Sequence, residues 1–247
     1  MGTKGHNQAG TVTHYEDAIN RGRATGGVWK TCPLLAQQCD PQVGFMIDEQ
    51  WANYDATDDY TLTQAVAGAA AISTAAPGVL ELDANSTTAT QGANLQRLGA
   101  CFVPAANKHI WAEFRLKIVD TFDKAEIFVG LSESDTTIIA GSANSSANHI
   151  GWQCVTDDGV LLFTSEKAGA GDTGAAATIA EDTYISLGFY VNGITSITQY
   201  VNGVETGTAK ATANVPIVAL YPSFVCQSGG TNDPIMHIAA YRVFQLR

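Results

Sequence analysis

The stretch from Trp111 to Asp135, WAEFRLKIVDTFDKAEIFVGLSESD, constrains the fold more than any other part of the chain. Phe114, Leu116 and Ile118 alternate with Glu113, Arg115 and Lys117. That is the period of a strand with one buried and one wet face. A short polar turn follows, and then Ile127, Val129 and Leu131 alternate with Glu126, Phe128 and Gly130. The reading is a pair of strands, and a chain built from such pairs closes as an antiparallel sandwich.

The rest of the chain repeats the theme. Asn192-Gly193 and Asn202-Gly203 bracket ITSITQYV. Asn-Gly tolerates the two positive φ angles of a type I′ turn, so the two dipeptides predict a three-strand meander. Asp157-Asp158-Gly159 predicts a hairpin between 148–155 and 160–165. Ile185, Leu187, Phe189 and Val191 form one face of a further strand. Residues 58–64, 78–83, 94–103 and 217–226 read as strands. The small-residue run AVAGAAAISTAAPG reads as a strand packed closely on a neighbour. Residues 134–148 read as a loop, and 166–177 as a flexible Gly/Ala loop. The last segment, Ile235–Leu246, is apolar on both faces and is expected at the centre of a sheet. The tally is roughly twelve strands with short links.

Composition narrows the class. Charge is sparse, Gly and Ala are frequent, and Lys and Arg number 13 in 247 residues. Long helices need more polar outer faces than this chain supplies, so it reads as all-β. The net charge of −11 leaves nothing to neutralise phosphates, which argues against nucleic acid. No run approaches the roughly 20 apolar residues of a membrane helix. The N-terminal residues lack an apolar leader core, so synthesis in a cytoplasm is expected. An odd count of five cysteines then implies reduced thiols. Cys101, Cys154 and Cys226 lie in apolar strand patterns and read as core. Cys32 and Cys39 lie in a loop-like stretch, with only His6 and His14 near enough in sequence to complete a zinc site.

Residues 1–44 are polar, Gly-rich and poorly periodic, with one short helical stretch at His14–Arg23, and read as an N-terminal arm; residues 45–247 form the body. Lys4, Arg21, Arg23 and Lys30 make the arm mildly basic. The apolar and aromatic side chains in VWKTCPLLAQQ and VGFMIDEQW would rarely be left exposed, so the arm is expected to dock on a neighbouring subunit or another protein. The candidate docking residues are Arg21, Arg23, Trp29, Leu34, Leu35 and Phe45.

Catalytic patterns are missing. Glycoside hydrolysis on a sandwich needs two carboxylates facing one another across the sugar. Glu81 and Asp83 are the nearest match, but the residue two further on is Asn85, so a third acid is missing. Glu133 and Asp135, and Asp157 and Asp158, read as acids of strand ends and turns. The chain has no G-x-S-x-G, phosphate loop, H-E-x-x-H or EF-hand, and its five histidines (His6, His14, His109, His149 and His237) sit in no nucleophile context. Asp120, Asp123, Asp135 and Asp172 are weak calcium candidates. The expectation is no enzyme, no cofactor and no metal. Among the aromatics, Trp152 and Tyr190 are the candidate glycan contacts.

In order and spacing, WAEFRLKI, AEIFVGLSESD, HIGWQCVTDDGVLLFTSEKAG, DTYISLGFYVNG and QYVNGVE resemble a concanavalin A-like (laminarin-G-like) jelly roll. With FMIDEQWANYDATDDYTLTQ ahead of them, they are similar to virion proteins of tailed phages. The resemblance spans about residues 45–247, and the order of the elements carries it. It implies an all-β antiparallel jelly-roll sandwich serving as a capsid decoration (cement) protein. It further implies the major capsid protein as partner, a homo-oligomer (dimer or trimer), and a place on the virion surface. The alternative is a carbohydrate-binding module for adhesion to a host surface. Neither the glycanase motif nor the lectin metal pattern of the wider superfamily is present.

Overall fold

A computed structural model describes residues 7–8, 11–12, 27–33, 38, 40–99, 102–119, 125–140, 143–155 and 159–247. Two short strands come first, β1 (Asn7–Gln8) and β2 (Thr11–Val12). Then follow β3 (Gly44–Glu49), β4 (Tyr60–Ala65), β5 (Ala69–Ile72), β6 (Leu80–Asp83), β7 (Gly92–Arg97), β8 (Ile110–Val119) and β9 (Ala125–Ser132). A small hairpin, β10 (Ile139–Ala140) with β11 (Ala143–Asn144), precedes β12 (His149–Cys154), β13 (Val160–Lys167) and β14 (Ala170–Thr178). The chain closes with β15 (Ile185–Asn192), β16 (Ser196–Val201), β17 (Val204–Ala211), β18 (Tyr221–Ser228) and β19 (Ile235–Leu246).

Two antiparallel sheets carry the fold. One has seven strands in the order β14-β13-β12-β9-β18-β7-β4. The other has eight, in the order β17-β16-β15-β8-β19-β6-β5, with β3 paired to β19. β19 is central as its two apolar faces predict: β8 flanks one side along most of its length, while β6 and β3 share the other. The meander β15-β16-β17 forms, but only its second reversal is of type I′, with φ of 50° at Asn202 and 75° at Gly203. At the first, Gly193 has positive φ while Asn192 stays in the strand.

Two expectations fail. β8 and β9, adjacent in sequence, do not pair. The chain changes sheet between Val119 and Ala125. Alternation specifies which face is buried and not which strand lies alongside, and here both apolar rows meet across one core. β9 is moreover buried on both faces. The Gly/Ala segment expected as a loop is edge strand β14, paired to β13 through a tight reversal with positive φ at Ala168 and Gly169. The small-residue run is a strand as expected. A Cβ on Gly68, at its start, would collide with the Gly92 carbonyl of the opposite sheet.

The core lies between the sheets. Phe114, Leu116 and Ile118 of β8 meet Ile127, Val129 and Leu131 of β9, with Phe163, Phe189 and Phe224 between. Each fully buried side chain of this kind contributes about 1.5–3 kcal/mol. One polar bridge crosses the core. Tyr60 of β4 and Tyr241 of β19 share a hydrogen bond of 2.8 Å. Arg97 of β7 donates to Tyr60 at 3.0 Å and to Glu49 of β3 at 3.2 Å. Burial drives both phenols to higher pKa, so they stay protonated.

Candidate functional site

The two sheets turn their outer faces to the surroundings, and each face is roofed by another part of the same chain. On the eight-stranded sheet, register places Trp111 beside Tyr190 on one side and Phe244 on the other. Their rings form a platform, with centroids 5.2 Å apart for Trp111–Tyr190 and 5.7 Å for Trp111–Phe244. His109 stacks on Tyr190 at 5.8 Å. The 3-10 turn Val28–Thr31 covers this platform. Trp29 donates its indole N–H to Glu113 at 2.5 Å and lies 5.5 Å from the Arg242 guanidinium, which is paired with Asp48. Trp111 in turn donates to the Thr31 hydroxyl at 3.2 Å.

Residues 27–33, within the stretch assigned to the arm, therefore pack on the body. Trp29 is 3% exposed and does not present itself to a partner, because its ring fills an apolar socket on its own chain. Phe45 stays exposed, with its ring 5.3 Å from that of Phe102. Arg21, Arg23, Leu34 and Leu35 lie outside the described residues. The glycan candidates change most. Trp152 is fully buried: it opposes Val129 in the register, points into the core and packs on Phe163 at 5.3 Å. Tyr190 is half-buried within the platform, and its hydroxyl is hydrogen-bonded to His109 Nδ1 at 2.7 Å. Burial raises its pKa.

The rest of this face is ionic. Glu81 lies 3.4 Å from His237, Lys117 lies 3.6 Å from Asp182, and Arg115 covers the Tyr184 ring at 5.1 Å. Glu81 and Asp83 sit on strand β6 and not in a turn. Their cross-strand partners on β5 are Ala71 and Ala69, and on β19 His237 and Ile235. Burial first, and Asp233 and Glu81 after it, raise the Asp83 pKa. No register partner of either residue is a carboxylate. Among the described residues, no three His, Cys, Asp or Glu side chains converge as metal ligands. Asp120, Asp123, Cys39, His6 and His14 lie outside them.

The seven-stranded sheet is roofed by residues 133–140 and 143–148. Many of its outward side chains are polar yet buried, among them Asn94, Gln96, Ser132, His149, Thr164, Ser223 and Gln227. Three amides hold the roof by its backbone. Asn94 Nδ2 donates to the Asp135 carbonyl at 2.9 Å, and Gln227 Nε2 to the Ile139 carbonyl at 3.3 Å. Gln96 donates to the Glu133 carbonyl at 2.9 Å and accepts the Asp135 N–H at 3.1 Å. Glu133 accepts the Asn148 backbone N–H at 3.0 Å, which makes it a structural carboxylate. His149 Nδ1 contacts the Ser146 carbonyl at 3.0 Å, so Nδ1 carries the proton and Nε2 accepts from Thr164 at 3.1 Å. Burial pushes its pKa down to about 4, which keeps the ring neutral. Ile138 and Ile139 complete the roof by packing on Phe128 and Val225. The sequence reading missed these amides. Their signal was the alternation of Asn94 and Gln96 with inward Ala93 and Leu95.

Where the roof ends, a cleft of about 190 Å³ opens along β4 and β7. Thr61, Thr63, Asn94, Gln96, Asp135 and Tyr221 line it.

No protein-family model matches the chain, and no curated protein matches it by sequence. Solved structures do match. Peanut lectin superimposes with a TM-score of 0.57 at 13% identity, over 83% of this chain and 98% of the lectin. An endo-1,3-β-glucanase from Streptomyces sioyaensis gives 0.57 at 12% identity, over 84% and 98% of the two chains. A Shewanella oneidensis protein of unknown function gives 0.58 at 13% identity, over 83% and 87%. Likeness at such identity shows the fold, which is a concanavalin A-like jelly roll. That fold serves lectins and glycosidases alike, so it does not decide between binding and catalysis.

Proposed function

We propose that this protein is a non-enzymatic structural component of a tailed-phage virion that decorates the head and stabilises its shell. The observation that carries this reading is the double roof. Residues 27–33, 133–140 and 143–148 cover parts of both broad faces, and among the described residues the register partners of Glu81 and Asp83 include no carboxylate. A body of this kind is rigid, acidic and chemically quiet, as a shell-bound protein needs to be. The sequence resemblance to phage virion proteins supplies the partner, the major capsid protein, and the expectation of a homo-oligomer. Docking falls to the residues ahead of the platform segment, with Arg21 and Arg23, together with Leu34, Leu35 and exposed Phe45. A mildly basic arm on an acidic body suits an acidic partner surface.

The test is co-sedimentation with heads assembled from the major capsid protein of the same genome. Full-length protein is compared with a form beginning at Gly27, which keeps Trp29 in its socket. Saturable binding at a fixed ratio, lost in the shortened form, supports decoration through the arm. Equal binding by both forms moves the docking surface to the body. Absence of binding by either form overturns the reading.

A further inference from the structure

One end of the sandwich carries an apolar surface that the rest of the molecule leaves open. Among the described residues nine large apolar side chains are exposed, and five of them, Phe45, Val103, Ile194, Ile217 and Val218, gather there. Backbone pairing fixes the grouping. The Phe45 ring lies 5.3 Å from that of Phe102. Gln245, the register partner of Phe45, grips Val103 by both backbone groups, at 3.1 Å to the N–H and 2.6 Å to the carbonyl. Phe102 and Leu220 exchange backbone hydrogen bonds of 2.8 and 2.9 Å, which brings 217–219 alongside 103–105. A Cβ on Gly193 would stand 3.1 Å from the Ala105 carbonyl, so Ile194, at the β15–β16 reversal, joins the same end. An exposed apolar patch that gathers in this way marks a contact with another molecule.

The border of the patch carries both signs of charge. Leu246 donates its N–H to the His109 carbonyl at 3.0 Å, Arg247 to the Val43 carbonyl at 3.1 Å, and Val43 to the Asp40 carbonyl at 3.0 Å. Lys108 and Asp40 therefore flank Leu246 and Arg247 from opposite sides. Both are exposed, and neither belongs to an ion pair among the described residues. That pattern selects the occupant. A two-fold contact sets a patch against itself, so one border meets the opposite border of the copy. Lys108 of each chain then faces Asp40 of the other. A partner of one sign would match only half of this border. The net charge of −11 makes two copies repel along most approaches, and an uncharged apolar centre is where that repulsion is least.

We propose that this end is the contact between two copies of the chain, with Val103, Ile194, Ile217 and Val218 at its centre and Lys108 paired to Asp40 across a two-fold axis. Phe45 stands at its margin beside the arm. The inference rests on the homo-oligomer expected above and gives it a place and an order. Head binding is a separate property.

Sedimentation equilibrium on the full chain tests it. A dimer that dissociates in the micromolar range is expected. Val103→Asp and Ile194→Lys fall at exposed positions, and urea unfolding verifies that each variant folds. Each is expected to weaken the dimer roughly a hundredfold, since a charge at the centre of a contact is stripped of water without a partner. Val204→Asp, exposed outside the patch, is expected to dimerise as the parent does. Lys108→Asp is expected to weaken the dimer about fivefold, and adding Asp40→Lys to restore it, because the double exchange keeps the pairs and swaps their signs. A parent that is monomeric or of another order overturns the proposal, as does a dimer that survives both central substitutions or a charge exchange that restores nothing. Co-sedimentation of the same variants with heads reads the structural role separately, because each keeps its arm.

Discussion

The two roofs solve one problem by different means. Over the seven-stranded sheet, residues 133–140 and 143–148 are gripped by directed hydrogen bonds from Asn94, Gln96, Gln227 and His149 to backbone atoms. Over the eight-stranded sheet, residues 27–33 are held mainly by ring faces, with two indole N–H bonds added. The first roof is tied at both ends to strands of the sheet that it covers. The second leads into β3, at the side of β19 in the sheet that it covers. Directed bonds fix position and fail when one partner goes. Ring contacts adapt, but they carry much of the burial energy in one or two side chains.

Substitutions measure the difference. The largest effect is expected for Trp29→Ala, which empties the socket over Trp111 and Arg242. A loss of about 3–5 kcal/mol in denaturant unfolding follows from deleting a buried indole. A loss below about 1 kcal/mol would mean that the turn is a passive cover.

Acid comes next and acts on the other roof. Burial holds the folded-state pKa of His149 at about 4, below its ordinary 6.5, so the unfolded chain takes a proton that the folded chain refuses. Stability is fully present above the ordinary value and falls as pH drops from there through the folded one, by roughly 3 kcal/mol in all. Comparing the parent with His149→Gln in urea at about pH 7 and about pH 4.5 isolates this share. An equal acid loss in both proteins would place the sensitivity elsewhere.

Gln96→Leu strands the Asp135 N–H and leaves the Glu133 carbonyl with the Ser132 hydroxyl alone. The expected loss is about 2 kcal/mol, with faster hydrogen exchange at Asp135 and no change at Trp29. Coupled changes on both faces would show that the roofs communicate. The smallest effect is expected for Tyr190→Phe, about 0.5–1 kcal/mol for one half-buried bond to His109.

What was legible in the sequence was local. Asn202-Gly203 fixed a reversal because only certain residues accept its dihedral angles, and the alternation along β8 fixed its buried face. Partners were not legible, because β8 and β9 each announce an apolar row without saying which strand lies alongside. β14 was misread for a related reason. Gly and Ala carry little strand preference, and their extended state comes from pairing with β13. The socket for Trp29 is assembled from β8, β15, β16 and β19, so no single window of sequence contains it. Trp152 was different, since its parity with Ile150 and Cys154 already pointed inward.

The position of β19 has a consequence for how the molecule comes into being. The final strand lies between β8 on one side and β3 and β6 on the other. During synthesis those three strands wait without their shared neighbour until β19 emerges. Sheet closure is then a late, long-range event of the kind that makes β-sandwiches slow to fold. A chain that lacks β19 exposes unpaired strand edges, which favour association between chains. The twelve residues of β19 thus join the two halves of their sheet, and a chain that lacks them cannot close it.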